Sequence, residues 1–270
     1  MRRLFLLRAY GDFAIAIQSI LKSKQLKDIS IVASKHLSPL YLAISKVIDV
    51  KEINIEFVDF IIHRSQLNLF TNRHLLEKDT FYQIKKIKQY LAVNPNSDGI
   101  DYIEQEKRRW LLELVLNYQF KPIVKEQYVY EQFDNFFETT PNQISKEIPL
   151  NGSILVLPDA RIEKRNIPEN LIHKIKQGCS KRGYIVKVAY FKRQSAGAET
   201  YKNFDELIEL IQKADLVVGA DSLPIHLSNF LNKPHCILYP TGGAKDFFTP
   251  FALGNNYYSE FGSNIIPFLN

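Results

Sequence analysis

Two cysteines in 270 residues, Cys179 and Cys236, form no close pair and no metal-binding spacing, which argues against a disulfide framework and for a reducing compartment. No segment approaches the ~18 consecutive apolar residues of a membrane span. The N-terminus begins like a targeting segment, with Arg2 and Arg3 before Leu4-Phe5-Leu6-Leu7, but Arg8 and Asp12 interrupt the apolar run. It reads as a first strand instead, and a cytoplasmic location is expected. There is no short internal repeat, no low-complexity tract and no interleaved aromatic-basic platform, so a nucleic-acid partner is not expected. Acidic pairs with Asp-x-Asp spacing are also missing from plausible loops.

What is present is an ordinary globular composition, 46% hydrophobic, in a length that suits one large domain or two of usual size. The 35 basic and 29 acidic residues leave a net charge of +6, which suits an anionic ligand or an anionic membrane surface. Lys85-Lys86-Ile87-Lys88 has helical spacing and reads as a solvated helix face.

Short apolar runs alternate with amphipathic ones. In the first half, strands are expected at 3–7, 29–33 and 57–62. Helices are expected at 13–24, 39–46, 79–91 and 101–118, with Gly11-Asp12 as a turn. The stretch 120–150 is aromatic and polar, with Pro122, Pro141 and Pro149, and its end reads as a linker. A second series follows: strands at 154–157, 184–190, 216–219 and 235–239, helices at 168–181, 204–213 and 223–231. Such alternation predicts parallel sheets covered by helices. The expected architecture is α/β, two Rossmann-like domains facing a cleft, divided as 1–148 and 149–270.

The stretch "GADSLPIHLSNF", residues 219–230, places Asp221, Ser222 and His226 where a buried strand hands over to a helix. Ligand groups gather at such points in α/β proteins. Ser222 suits an N-cap, Pro224 the first turn, and the helix-start amides an anion. A capped helix with a satisfied core histidine is the plainer alternative.

Three segments in this order resemble glycosyltransferase family 9, the lipopolysaccharide heptosyltransferase group. "LFLLRAYGDFAIAIQSILK" resembles the family's opening strand, Gly-Asp turn and helix. "LVLPDARIEKRNIPENL" resembles the start of its second domain, and residues 204–243 resemble its nucleotide-sugar site. The resemblance implies a GT-B fold and inverting transfer from a nucleotide-diphosphate sugar to a cell-surface glycan acceptor, lipopolysaccharide or related. It implies neither a cofactor nor a metal.

On that resemblance Asp12 is the candidate base, with helix capping as its alternative. Lys164 and Arg165 are candidates for diphosphate contact, or an ordinary basic loop. Asp221, Ser222 and His226 would take the donor, with Thr241 and Gly242 as a further wall or a mere turn. His63 and Arg64 would meet the acceptor. The implied partners are a nucleotide sugar and an anionic glycan or glycolipid, with peripheral contact at the inner membrane surface.

Two departures stand out. Leu223 occupies the place of a family glycine, and the region 193–201 is compressed, so that Glu199 is a candidate counterpart of the family's ribose-contacting acid. Leu223 is expected to point into the core and leave the helix start open. A non-catalytic GT-B-like binding or assembly subunit is the rival reading, and a nucleotide-sugar epimerase a second.

Overall fold

The computed structural model describes residues 2–7, 9–24, 26–60, 78–97, 99–103, 113–114, 116–123, 128–139, 152–195, 197–263 and 267. The chain forms two compact units. One comprises 1–126 and 132–139, the other 127–131 and 140–270. The expected division at 148/149 falls outside the described residues.

In the first unit, the apolar runs at the N-terminus become strand β1 (Arg2–Leu6) and strand β2 (Ile29–Ser34). Both are almost wholly buried, as strands covered on two faces must be. They join β3 (Asn54–Val58), β4 (Ile100–Ile103) and β5 (Lys121–Pro122) in a parallel sheet of order β3-β2-β1-β4-β5. Pro122, which has no N–H for a ladder, lies on the edge strand β5. Helices α1 (Tyr10–Ile20), α2 (Ser38–Ser45) and α3 (Lys78–Val93) belong to this unit. Ile87 and Leu91 of α3 join Phe5, Val32 and Ile103 of the sheet in one core cluster.

Three expectations need correction here. Gly11-Asp12 is not a turn: helix α1 already begins at Tyr10. The third strand starts three residues earlier than expected and ends at Val58. The segment from Asp101 is not the start of a helix but part of β4, paired with β1. The physical reason is a buried charge pair. Arg3 and Asp101 are register partners, and the guanidinium meets the carboxylate through two bonds of 2.8 and 2.6 Å. Asn96 and Tyr118 donate to the same carboxylate. An Asp that reads as the first residue of a helix in one dimension is held in a strand by an arginine 98 residues away.

The second unit repeats the plan with strands β6 (Ser153–Leu157), β7 (Ile185–Phe191), β8 (Glu199–Tyr201), β9 (Leu216–Ala220), β10 (His235–Tyr239) and β11 (Tyr258–Glu260). All pairs are parallel, in the order β11-β10-β9-β6-β7-β8. Helix α4 (Val129–Phe136) precedes them, its first residues counting with the second unit and the rest with the first. Helices α5 (Glu169–Ser180), α6 (Phe204–Lys213), α7 (Leu223–Phe230) and α8 (Pro250–Asn255) follow. The expected strands and helices of this half are all present. β8, α8 and β11 are additions, two of them too short to carry a period.

The functional consequence lies in the strand order. The chain runs outward from β6 through β7 to β8, then returns to β9 and runs the other way through β10 to β11. The reversal falls between β6 and β9, whose C-terminal ends therefore open a crevice of the kind in which open α/β sheets bind ligands.

Candidate functional site

The loops leaving β6 and β9 meet at this reversal. After β6, residues 158–167 fold back on themselves. Ile167 N–H donates to the Pro158 carbonyl at 3.0 Å, and Ala160 N–H to Asn166 Oδ1 at 2.7 Å. Ile167 is buried in the core below. The closed loop carries a single turn of 3₁₀ helix, Glu163–Arg165. From it Arg165 reaches Asp221, beyond the end of β9, at 3.2 Å. Lys164, its neighbour, is exposed.

Asp221 is buried and Arg165 half-buried. Loss of solvent pushes the Asp221 carboxyl above its ordinary range, and Arg165 pulls it back only in part. The carboxylate's desolvation thus outweighs its pairing with Arg165, so this ion pair is weak evidence of stabilisation.

Ser222 stands at the N-cap of α7 with extended backbone, but its side chain makes no cap bond. This corrects the capping role expected of it. Its hydroxyl donates instead toward the carbonyls of Asp159 and Ala220, each at 3.2 Å. Ser222 therefore ties the β9 loop to the β6 loop and does not cap α7 with its side chain; in that first turn Pro224 has no N–H and the Ile225 N–H donates to the Ser222 carbonyl at 3.1 Å. This turn is the positive end of the helix. Gly219 lets α7 lie this close: a Cβ there would sit 2.8 Å from Ile225 Cδ1. Leu223 is half-buried, not absorbed into the core as expected, in contrast to Pro224, Ile225 and His226 beside it.

His226 is buried, and Tyr130 of α4 contacts its Nδ1 at 3.0 Å. Burial first, then His235 and Arg165, hold the imidazole pKa down to about 3, so the ring is neutral. Tyr130 escaped sequence reasoning because it lies in the aromatic stretch read as leading into a linker. No local motif announces a contact 96 residues away.

Asp159 and Arg193 were also missed. Asp159 Oδ2 accepts the Phe191 N–H at 3.0 Å, and its other oxygen lies 3.7 Å from Arg193. The Arg193 guanidinium stands 4.0 Å over the Tyr190 ring and 3.6 Å from Glu169. The loop after β7 is thereby fastened to the loop after β6. Glu199 is not part of this cluster; it pairs with Lys187 at 2.9 Å. Thr241 and Gly242 follow β10 in a turn closed by Gly243 N–H to the Pro240 carbonyl at 2.9 Å. Gly242 has φ of 71°, a conformation that favours glycine, and the Thr241 hydroxyl donates to the Phe261 carbonyl at 3.0 Å. The structure brings Arg165, Asp221 and Ser222 together directly; it shows no side-chain bond from Thr241 to them.

In the first unit, Asp12 is buried in the first turn of α1, after β1. The N-cap of α1 is Ala9, so capping by Asp12, the alternative considered from the sequence, does not occur. His63 and Arg64 lie outside the described residues. Among the described residues, no group of three or more His, Cys, Asp or Glu is arranged to hold a metal ion, and no helix is long and apolar enough to cross a membrane.

Two parallel α/β units with this strand order define a GT-B-type fold. Solved structures agree. E. coli heptosyltransferase WaaC with ADP superposes with a TM-score of 0.59 over 96% of this chain and 92% of that one, at 13% identity. E. coli ADP-heptose lipopolysaccharide heptosyltransferase II gives 0.56 over 96% and 89%, also at 13%. The iron-containing dodecameric glycosyltransferase TibC of enterotoxigenic E. coli gives 0.53 over 92% and 62%, at 10%. No curated protein matches the chain. In sequence, residues 198–258, which carry β8 to β10 and the Asp221-Ser222-His226 segment, match glycosyltransferase family 9 (heptosyltransferase). The chain is glycosyltransferase family 9-like, with a heptosyltransferase fold.

Proposed function

We propose that the chain is an inverting glycosyltransferase that moves a sugar from a nucleotide-diphosphate sugar to a cell-surface glycan acceptor, lipopolysaccharide or a related glycolipid. The observation that carries this reading is the junction of Arg165, from the β6 loop, with Asp221 and Ser222 at the start of α7, the latter two inside the matched segment. Solved neighbours contain ADP or an ADP-heptose analogue, which favours an adenine nucleotide as donor.

The chemistry asks little of the protein. Asp12 takes the proton of the acceptor hydroxyl as its oxygen attacks the anomeric carbon. The bond from that carbon to the diphosphate breaks on the opposite face, and the electron pair leaves with the diphosphate. Arg165, Lys164 and the α7 amides offset the growing negative charge. The first unit takes the acceptor, and the second, including Thr241 and Gly242, takes the donor. A net charge of +6 favours an anionic acceptor at the inner membrane surface, reached from the cytoplasm. No cofactor or metal is required in this scheme.

The test is calorimetric titration of the wild type, Ser222→Ala and Leu223→Gly with ADP and other nucleoside diphosphates. Binding to the wild type, weakened roughly fivefold in Ser222→Ala as the bond that ties the β9 loop to the Asp159 carbonyl is lost, supports the donor site. The half-buried Leu223 beside the helix start favours one rival, a non-catalytic binding or assembly subunit. No binding to the wild type, with binding restored in Leu223→Gly, would select that rival.

A further inference from the structure

The second unit buries two histidines that are treated in opposite ways. His235 has both ring nitrogens engaged: Nδ1 lies 2.7 Å from the Lys233 carbonyl and Nε2 2.5 Å from the Thr249 hydroxyl. A carbonyl only accepts, so His235 carries its proton on Nδ1. The Thr249 hydroxyl donates to the bare Nε2 while accepting from Ala252 N–H at 3.1 Å. This histidine is closed on itself and structural.

His226 is open. Its Nδ1 meets the Tyr130 hydroxyl at 3.0 Å, with the rings 5.9 Å apart. Its Nε2 makes no hydrogen bond to the described residues. Both side chains are 4% exposed, so the Tyr130 bond is shielded from competing water. Tyr130 is also held from behind, because Val129 N–H donates to the Asp246 carbonyl at 2.8 Å. A neutral imidazole has one proton for two nitrogens. On Nδ1 it would leave a lone pair at Nε2, which repels an anion. On Nε2 it makes that atom a donor.

We propose that Tyr130 is a positioning residue: its hydroxyl donates to Nδ1 of His226 and so keeps the imidazole proton on Nε2, aimed at the diphosphate of a bound nucleotide. This rests on the donor-site reading above. Tyr130 touches no reacting atom. It acts by fixing which face of His226 donates, as outer partners do for histidine ligands of metals. A residue from the stretch before the second sheet thereby tunes the helix-start site.

The experiment is a long-range nitrogen–proton correlation spectrum of protein labelled at histidine, without nucleotide, followed by ADP titration. His226 is identified by the signal lost in His226→Gln, and His235 supplies the opposite tautomer as internal reference. The expected result is a single Nε2–H tautomer for His226 in the wild type and a mixture in Tyr130→Phe. ADP affinity should fall roughly fivefold in Tyr130→Phe, with a melting temperature lowered by no more than a few degrees. Tyr130→Phe combined with His226→Gln should bind no more weakly than His226→Gln alone. A wild type with the proton on Nδ1, a Tyr130→Phe variant that binds ADP like the wild type, or additive losses in the double variant would each overturn the role of Tyr130. A wild type with the Nε2–H tautomer that binds no ADP would overturn the donor-site reading, and with it the purpose of the bond but not the bond.

Discussion

Arg165 and Asp221 meet at 3.2 Å across the point where the second sheet reverses its strand order. One residue is half open to solvent and the other is buried, so the two ends of this pair are not equivalent. The arginine keeps part of its surface in solvent, whereas the carboxylate holds it from the buried side and bears the cost of desolvation.

That asymmetry sets the behaviour of Asp221→Asn. The amide removes a buried charge whose desolvation exceeds its ion pairing. Thermal melting of the variant should therefore occur at or above the wild-type temperature. Arg165 loses its anchor, so nucleoside diphosphate affinity should drop, roughly fivefold to tenfold for a charge-assisted bond. Lower stability together with unchanged affinity would show that Asp221 is structural.

Gly219 is predicted to tolerate no side chain. The Cβ of Gly219→Ala would lie 2.8 and 2.9 Å from two atoms of Ile225, which is fully buried and packed. The expected cost is about 1–3 kcal/mol, the usual penalty for overpacking, read as a lower denaturant midpoint. Adding Ile225→Val removes one of the two atoms and should restore part of the loss. An equal loss with and without that second change would place the strain elsewhere.

Acid should unfold the second unit early. Burial holds His226 neutral to about pH 3 and His235 to about pH 4, while in the unfolded chain each takes a proton near 6.5. Between those limits the unfolded state binds more protons, so stability is present above about 6.5 and is lost as pH falls toward 4. Asp221 acts in the opposite sense, since its raised pKa favours the folded state as it becomes protonated. Denaturant unfolding between pH 7 and 5 should show the equilibrium constant shifting by up to about tenfold per pH unit per histidine. A pH-independent midpoint over this range would contradict the buried, neutral state of both rings.

For the proposed transfer, Asp12→Asn should abolish most turnover yet leave donor binding unchanged, because the base acts on the acceptor hydroxyl. Equal turnover in both proteins would remove Asp12 from the chemistry. Transfer should also survive strong chelation, since Arg165, Lys164 and helix amides are assigned the work of a cation. Activity lost to the chelator and regained with magnesium, manganese or iron would refute that assignment.

Much of this was legible in the chain itself. Buried parallel strands announce themselves as apolar runs, and Asp221, Ser222 and His226 lie within one strand-to-helix handover. What escaped depends on partners far away in sequence. Asp101 reads as a helix start until Arg3 is placed opposite it. Tyr130 reads as one aromatic residue among many until His226 is placed beneath its hydroxyl. Strand β11 is three residues long and too brief to show a period. Ser222 stands at the helix start, but its side chain donates to the Asp159 carbonyl across the crevice and to the nearby Ala220 carbonyl and does not cap its own helix.

The division of the chain has a further bearing on how such a protein can change. Residues 127–131 count with the second unit, while 132–139 return to the first. No single crossover can therefore exchange one whole unit for that of a relative. A chimera joined after residue 139 would inherit Tyr130 from one parent and His226 from the other. Swapping the second unit between such proteins thus demands that the short Tyr130 segment travel with its histidine, or that both parents carry the same pair.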